Sequence, residues 1–231
     1  TAGVDCTVQL LDVNEPPIMD DMLMWVFEET PTGGTVGTCI SEVTGDLIPC
    51  SMIALDPDIQ DTQKVVYNVA AEERRFATRS VAGVGTIIVA QETLDYEITK
   101  QYSMTIYITD TDWAVAGWTN SYANQWPFVS TAPITTTAQL KIMVMDINEP
   151  PVLVQDQVRF IQENMPMDSF IGMPIDYFEE DERQSHKFEI LSAEWMATWA
   201  INECDGQIRI KIPNVDYEVK TTFLLSIKIT D

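Results

Sequence analysis

Basic side chains are scarce in this sequence: 13 lysines and arginines stand against 36 aspartates and glutamates, for a net charge of −23. That balance excludes nucleic acid and anionic membrane surfaces as natural partners, because both are held by basic patches. A cationic companion is implied instead. Histidine is rarer still, with His186 the only one. Without a second histidine or a nucleophile–base grouping, no catalytic machinery is assembled and no enzymatic activity is expected. His186 reads as a loop residue that lends its backbone carbonyl. No run of 18 or more apolar residues occurs, so no segment is expected to span a membrane. The start, Thr1-Ala2-Gly3-Val4, has no charged-then-apolar signal segment, and the chain reads as a piece excised from a longer one. Cys6, Cys39, Cys50 and Cys204 form no Cys-x-x-Cys pair, which excludes the usual structural zinc site. Asn-x-Ser/Thr sequons are absent as well, so N-glycosylation gives no marker of compartment.

What is present is enough to fold. The hydrophobic fraction is an ordinary 45%, and 231 residues suffice for two domains with a core each. Cys39 and Cys50 flank a turn-rich loop from Glu42 to Pro49. They either close a local disulfide, which would suit a secreted context, or remain two free buried thiols.

The chain repeats itself. Asp12-Val13-Asn14-Glu15-Pro16-Pro17 returns 134 residues later as Asp146-Ile147-Asn148-Glu149-Pro150-Pro151. Glu28 follows Asp12 by sixteen residues, and Glu163 follows Asp146 by seventeen. Leu94-Asp95-Tyr96-Glu97 is answered by Val215-Asp216-Tyr217-Glu218, and each Asp is followed fifteen residues later by another, Asp110 and Asp231. Between these acidic points Tyr102, Met104, Ile106 and Ile108 alternate with polar positions, and Phe223, Leu225, Ile227 and Ile229 take the same places in the second copy. That period of two marks strands with one buried face. Gly83 and Gly85 before Thr86, and Asp205-Gly206 before Gln207, read as turns that open strands. Short alternating strands without helical crossovers point to an antiparallel sandwich.

In this order, the linker, the early Glu, a D-x-D, a D-x-E and a strand-end Asp resemble the extracellular repeats of the cadherin superfamily, over essentially the whole chain. The resemblance implies an all-β fold of tandem seven-stranded Greek-key, immunoglobulin-like β-sandwiches joined by a calcium-binding linker. Residues 1–17 would be the last strand of a preceding repeat plus its linker. Residues 18–149 would be a complete repeat with insertions near 39–50 and 111–137, and residues 150–231 a second repeat lacking its last strand. It further implies three calcium ions around residues 146–151. Glu28, Asp95, Glu97 and Glu149 would hold the first. Glu28, Glu97, Glu149, Asp181 and the Ile147 carbonyl would hold the second. Asn148, Glu179, Asp181, Asp231 and the Pro150 carbonyl would hold the third. Asp146 either binds an ion or hydrogen-bonds within the linker. One more ion is expected on Asn14, Asp56, Asp58, Asp110 and the Pro16 carbonyl. Glu163, Asp216 and Glu218 form a half-site expected empty or weak. The chemistry suits the ion, since calcium takes six to eight hard oxygen ligands and these motifs supply carboxylates, amides and carbonyls.

Some positions depart from the family pattern. Glu15 and Glu149 stand where Asp is usual, Pro16 and Pro150 where Asn is frequent, and Glu179 replaces an Asp, so calcium binding is expected to be retained but weakened. Trp113, Trp118, Tyr122, Trp126 and Phe128 enrich the insertion 111–137 in aromatics. They either form a contact surface or fold back over the sandwich edge. Thr135 to Thr137 are candidate O-glycosylation sites. The resemblance implies calcium-dependent cell–cell adhesion through a cadherin-type partner, homophilic or heterophilic, at the outer side of the plasma membrane. The alternatives are a force-bearing or passive spacer and a receptor surface for a soluble ligand or toxin.

Overall fold

Alternating apolar residues set the framework of the first part of the chain. In the computed structural model, which describes residues 3–4, 6, 8, 14–58, 65–91, 93–111, 133–181 and 183–231, all regular structure among those residues is β. Contacts divide the chain into two units, Thr1–Ile147 and Asn148–Asp231.

In unit 1, β1 (Met22–Phe27), β2 (Thr35–Val36), β3 (Thr38–Ile40), β4 (Leu47–Pro49) and β5 (Met52–Ile53) are followed by β6 (Val66–Val69), β7 (Phe76–Val81) and β8 (Val84–Val89). The long strands β9 (Gln101–Thr109) and β10 (Thr135–Met145) complete it. One sheet has the order β4-β3-β1-β10-β9-β6, and the other places β8 between β7 on one side and β2 and β5 on the other. Side chains from both sheets meet in one core, with Met24, Ile106, Ile108, Leu140 and Ile142 from the first and Met52, Phe76, Ile87 and Val89 from the second fully buried. The alternation around Tyr102 to Ile108 thus becomes β9, with Met104, Ile106 and Ile108 on its buried face.

The pairing of β1 with β10 is parallel, in register from Met22↔Leu140 to Phe27↔Met145. Two strands that run side by side in the same direction bring their carboxyl ends together, so Glu28 emerges next to Asp146, and the Glu28 N–H donates to the Met145 carbonyl at 3.0 Å. The fold positions its acidic residues by this device.

Several expectations are corrected. Glu42 to Pro49 is not wholly a loop: β3 and β4 form a hairpin paired from Thr38↔Pro49 to Ile40↔Leu47, and Cys39 and Cys50 are joined at its base by a disulfide. Thr135 to Thr137, which read in the sequence as lying next to a strand, lie within β10, paired with Thr109 to Tyr107. Gly85 opens no turn. The turn is Ala82-Gly83, both at positive φ (50° and 77°), between the paired residues Val81 and Val84. Gly85 instead lies inside β8, where a Cβ would stand 2.6 Å from the Tyr67 ring.

That ring explains the close approach. Tyr67 is buried, its hydroxyl accepts the Ala54 N–H at 2.7 Å and donates to the Gly83 carbonyl at 3.0 Å, and it thereby ties β5 to the β7–β8 turn. Burial pushes its pKa above the ordinary tyrosine value, with the Ala54 N–H acting weakly in the opposite sense.

Unit 2 contains β11 (Val152–Leu153), β12 (Tyr177–Phe178), β13 (Lys187–Ile190), β14 (Trp199–Ile201), β15 (Ile208–Ile210) and β16 (Ile227–Thr230), paired β11–β12, β13–β16 and β14–β15. Phe188, Ile190, Trp199, Ile208 and Ile210 form its core, and Phe223 adds edge-on ring contacts to Trp195 and Trp199. The strand expected from Phe223 onward is regular only from Ile227. The ladder with β13 begins there, whereas in unit 1 β9 is paired with β10 along its whole length, from Gln101↔Met143 to Thr109↔Thr135.

Tyr67→Phe removes two buried hydrogen bonds and is expected to lower stability by about 1–3 kcal/mol at neutral pH. Because the folded state raises this pKa, the stabilisation is full below the free tyrosine value of about 10 and is lost as pH rises through the folded value. Chemical unfolding against pH is therefore expected to show the wild type losing stability above about pH 10 more steeply than the variant; parallel curves would contradict this.

Candidate metal centres

Charged side chains are almost never fully buried unless they are paired or bind a metal. Among the described residues the buried carboxylate and amide side chains are Asn14, Glu28, Asp56, Asp58, Asp110 and Asp181. All six belong to the set that the sequence motifs single out.

Asn14, Asp56, Asp58 and Asp110 lie together in unit 1. Asp110 follows directly on β9, and its carboxylate accepts the Asn14 side-chain amide at 2.8 Å and the Ile134 N–H at 2.6 Å. Asp58 accepts the Glu15 N–H at 2.9 Å, and its own N–H donates to Asp56 at 3.0 Å. A linker, a loop and a strand end thus converge, and Pro16 is exposed beside them.

The second set of unit 1 gathers at the carboxyl ends of β1 and β10. One oxygen of Glu28 accepts the Tyr96 N–H and the other the Ile147 N–H, both at 2.7 Å. Asp95 accepts the Ile98 N–H at 2.7 Å, which turns the chain so that Glu97 faces back. The carboxylate oxygens of Glu97 come within 4.8 Å of those of Glu28 and also of Asp146. Glu29, just past Glu28, adopts a positive φ of 55° and donates its N–H to the Leu94 carbonyl.

Unit 2 builds the same arrangement from its own residues. The Asn148 side-chain amide donates to Asp231, which follows directly on β16. The Glu149 N–H donates to Asp181 at 2.9 Å, and the Asp181 N–H donates to Glu179 at 3.2 Å. Pro150 is exposed. These three hydrogen bonds match those of Asn14, Glu15 and Asp58 one for one. The match extends further: Glu163 accepts the Tyr217 N–H at 2.9 Å as Glu28 does that of Tyr96, and Asn164 takes a φ of 58° as Glu29 does. Glu163, Asp216 and Glu218 bring carboxylate oxygens within 4.8 Å of one another, all of them exposed.

Gln184 was not legible as a neighbour of the unit 2 acids, and His186, expected beside the D-x-D as a loop residue, was not legible as a ring contact. The Gln184 amide donates to Asp181 at 2.9 Å and also to the Asn148 oxygen. His186 places Nε2 2.6 Å from Glu179 and its other ring nitrogen 3.3 Å from the Tyr177 hydroxyl. The ring of His186 therefore serves the acidic loop. The aromatic candidates Trp113, Trp118, Tyr122, Trp126 and Phe128 lie outside the described residues.

Among the described residues the side chains that converge are carboxylates and the amides of Asn14 and Asn148, without thiolates. Such a set fits a hard cation of calcium type, and like charges gathered this closely repel when no cation is shared between them.

No protein-family model matches the sequence. Among curated proteins, rat Cadherin-23 is 30% identical over 96 residues, 42% of this chain and 2% of that protein. Human Protocadherin Fat 1 is 23% identical over 241 residues, 97% of this chain and 4% of that protein. The chain thus spans only a few hundredths of the length of these relatives. Among solved structures, mouse Cadherin-23 EC22-24 aligns with a TM-score of 0.57 at 18% identity, covering 91% of this chain and 56% of that one. Protocadherin Gamma C5 EC1-3 aligns with a TM-score of 0.61 at 16% identity, covering 95% and 64%. Drosophila N-cadherin EC1-4 aligns with 0.56 at 15%, covering 87% and 40%. These likenesses establish the fold of the units as that of cadherin extracellular domains.

Asn14→Asp replaces a donor to Asp110 with a second carboxylate. In chelator it is expected to lower stability by at least about 2 kcal/mol, since a charge-assisted hydrogen bond gives way to repulsion between two carboxylates. Urea unfolding in chelator checks this, and an unchanged midpoint would contradict it.

Proposed function

We propose, from the premise that the chain is a cadherin-related repeat protein, that its units are consecutive repeats of an extracellular adhesion rod stiffened by calcium. In this reading residues 18–149 belong to one repeat and residues 150–231 to the next. The observation that carries this reading is that each buried charged or amide side chain among the described residues is a member of the ordered set. A fold does not bury three aspartates around one asparagine without a compensating charge.

In this reading the linker around residues 146–151 serves three calcium ions. Unit 1 supplies Glu28, Asp95, Glu97 and the Ile147 carbonyl, with Asp146 in the ligand set or bonded within the linker. Unit 2 supplies Asn148, Glu149, the Pro150 carbonyl, Glu179, Asp181 and Asp231. A fourth ion belongs to Asn14, Asp56, Asp58, Asp110 and the Pro16 carbonyl. Hydrogen bonds from N–H groups hold Glu28, Asp58, Asp110, Asp181 and Asp231 in place, and each carboxylate keeps lone pairs with which it can bind a cation. Bound calcium would supply charge neutralisation and rigidity, not chemistry, and the rod would carry other repeats to a cadherin-type partner on an opposing cell.

Calorimetric titration with calcium is expected to show uptake of four ions, with affinities near 10⁻⁴ to 10⁻³ M as an order of magnitude. Calcium at 100 times its dissociation constant should add about 2.7 kcal/mol per independent site to the folded state. No heat of binding and no rise in melting temperature would overturn the reading.

A further inference from the structure

We propose that His186 is a positioning residue for the cation site of unit 2: its ring holds the Glu179 carboxylate where a shorter Asp side chain would sit unaided. Glu179 is one methylene longer than the Asp of the D-x-D pattern, so its carboxylate, left unrestrained, would sample more rotamers and be turned away from an ion part of the time. Unit 2 removes that freedom. Nε2 of His186 lies 2.6 Å from one carboxylate oxygen of Glu179, and the other oxygen accepts the Asp181 N–H at 3.2 Å. The side chains are only 9% exposed for His186 and 11% for Glu179, so the bond between them is shielded from water and strengthened by its surroundings.

The ring is itself held from behind. Nδ1 lies 3.3 Å from the Tyr177 hydroxyl, and the two rings pack with centroids 4.8 Å apart. Tyr177, on β12, meets Phe188 of β13 edge-on at 5.5 Å. Phe188 is buried, and a Cβ on Gly206 would stand 3.0 Å from its ring, so the ring at the base of this row has little room to shift. A row of contacts thus runs from the core of unit 2 through Phe188, Tyr177 and His186 to the Glu179 carboxylate. Both polar contacts of the imidazole are satisfied at once when the Tyr177 O–H donates to Nδ1 and the Nε2–H donates to Glu179. Calcium takes hard oxygen ligands, so the ring orients a ligand and is not one. Carboxylates that bind a metal are commonly hydrogen-bonded from behind in this way, and loss of such a partner weakens metal binding by about 10–100-fold.

Unit 1 supplies the comparison. In the gapless correspondence of residues 56–65 with 179–188, Asp56 stands opposite Glu179 and Gln63 opposite His186, and two residues before the acid Ala54 stands opposite Tyr177. Where the acid is short, neither ring of the pair is present. Asp56 accepts the Asp58 N–H at 3.0 Å just as Glu179 accepts that of Asp181, so the two acids meet their loops alike and differ in the added methylene. The longer acid and the two rings that brace it occur together in unit 2. The brace therefore offsets the weakening of cation binding that the exchange of Asp for Glu implies. This inference rests on the calcium reading above and assigns His186 a part in it.

Calorimetric titration of the whole chain with calcium, in the wild type and in variants of this row, tests it. His186→Ala should weaken one of the bound ions by about tenfold or more and leave the others unchanged. His186→Gln, whose amide can still donate to Glu179, should recover most of that loss. Tyr177→Phe, which removes only the hydroxyl behind Nδ1, should weaken the same ion by a smaller factor and tests the row even where His186→Ala does not fold. In a Glu179→Asp background, where the short acid needs no brace, His186→Ala should cause no further loss, a coupling that a merely structural role of the histidine would not produce. Unchanged affinity in both His186→Ala and Tyr177→Phe, or an equal loss from His186→Ala in the Glu179→Asp background, would overturn the proposal. A wild type that takes up no calcium overturns the calcium reading and this inference with it, whereas normal wild-type uptake that the His186 and Tyr177 variants match overturns this inference alone.

Discussion

The carboxylate of Glu28 joins three distant parts of unit 1. It stands buried just past β1, receives the N–H of Tyr96 through one oxygen and that of Ile147 through the other, and approaches Glu97. The first strand, the D-x-E segment and the linker are therefore held at one point by one side chain. What brings it there is the parallel pairing of β1 with β10, which a sandwich can offer only where its first and last strands run side by side. Packing of Met24 and Val26 from β1 against Ile142 and Leu140 from β10 fixes that register, so the apolar core and the acidic end are two aspects of one alignment.

The same logic explains why the acids occur at strand ends and linkers. Asp110 and Asp231 each follow the last residue of a strand, where the ladder no longer claims nearby N–H groups, and an Asn side chain from a linker closes on each. Backbone N–H groups supply the rest of the scaffold, with Glu15 and Glu149 contributing main-chain donors whatever their own carboxylates do. Repulsion among the acids is built in, and a shared cation is the simplest way to convert it into attraction.

Much of this was legible in the sequence, and for a physical reason. Ligand-type residues sit at fixed offsets from turns and strand ends, and a repeated chain displays those offsets twice, so Asn14, Asp56, Asp58 and Asp110 could be named with Asn148, Glu179, Asp181 and Asp231. The sandwich class was legible from the alternation in β9. What escaped depends on contacts without a period. Gly85 reads as a turn until the Tyr67 ring is seen against it. The hairpin β3–β4 reads as a loop because Leu47-Ile48-Pro49 is too short to show alternation. Gln184 and His186 lie in an irregular loop whose side-chain directions no pattern encodes.

The central claim is that buried and clustered carboxylates in both units are calcium ligands and not merely solvated or self-bonded acids. Anomalous diffraction from crystals of the chain grown in calcium tests it most directly. The account expects anomalous peaks at coordination distance from Asp56, Asp58 and Asp110, and from Glu28, Glu97, Asp181 and Asp231. Crystals that show those side chains ordered and no anomalous density beside any of them would contradict it.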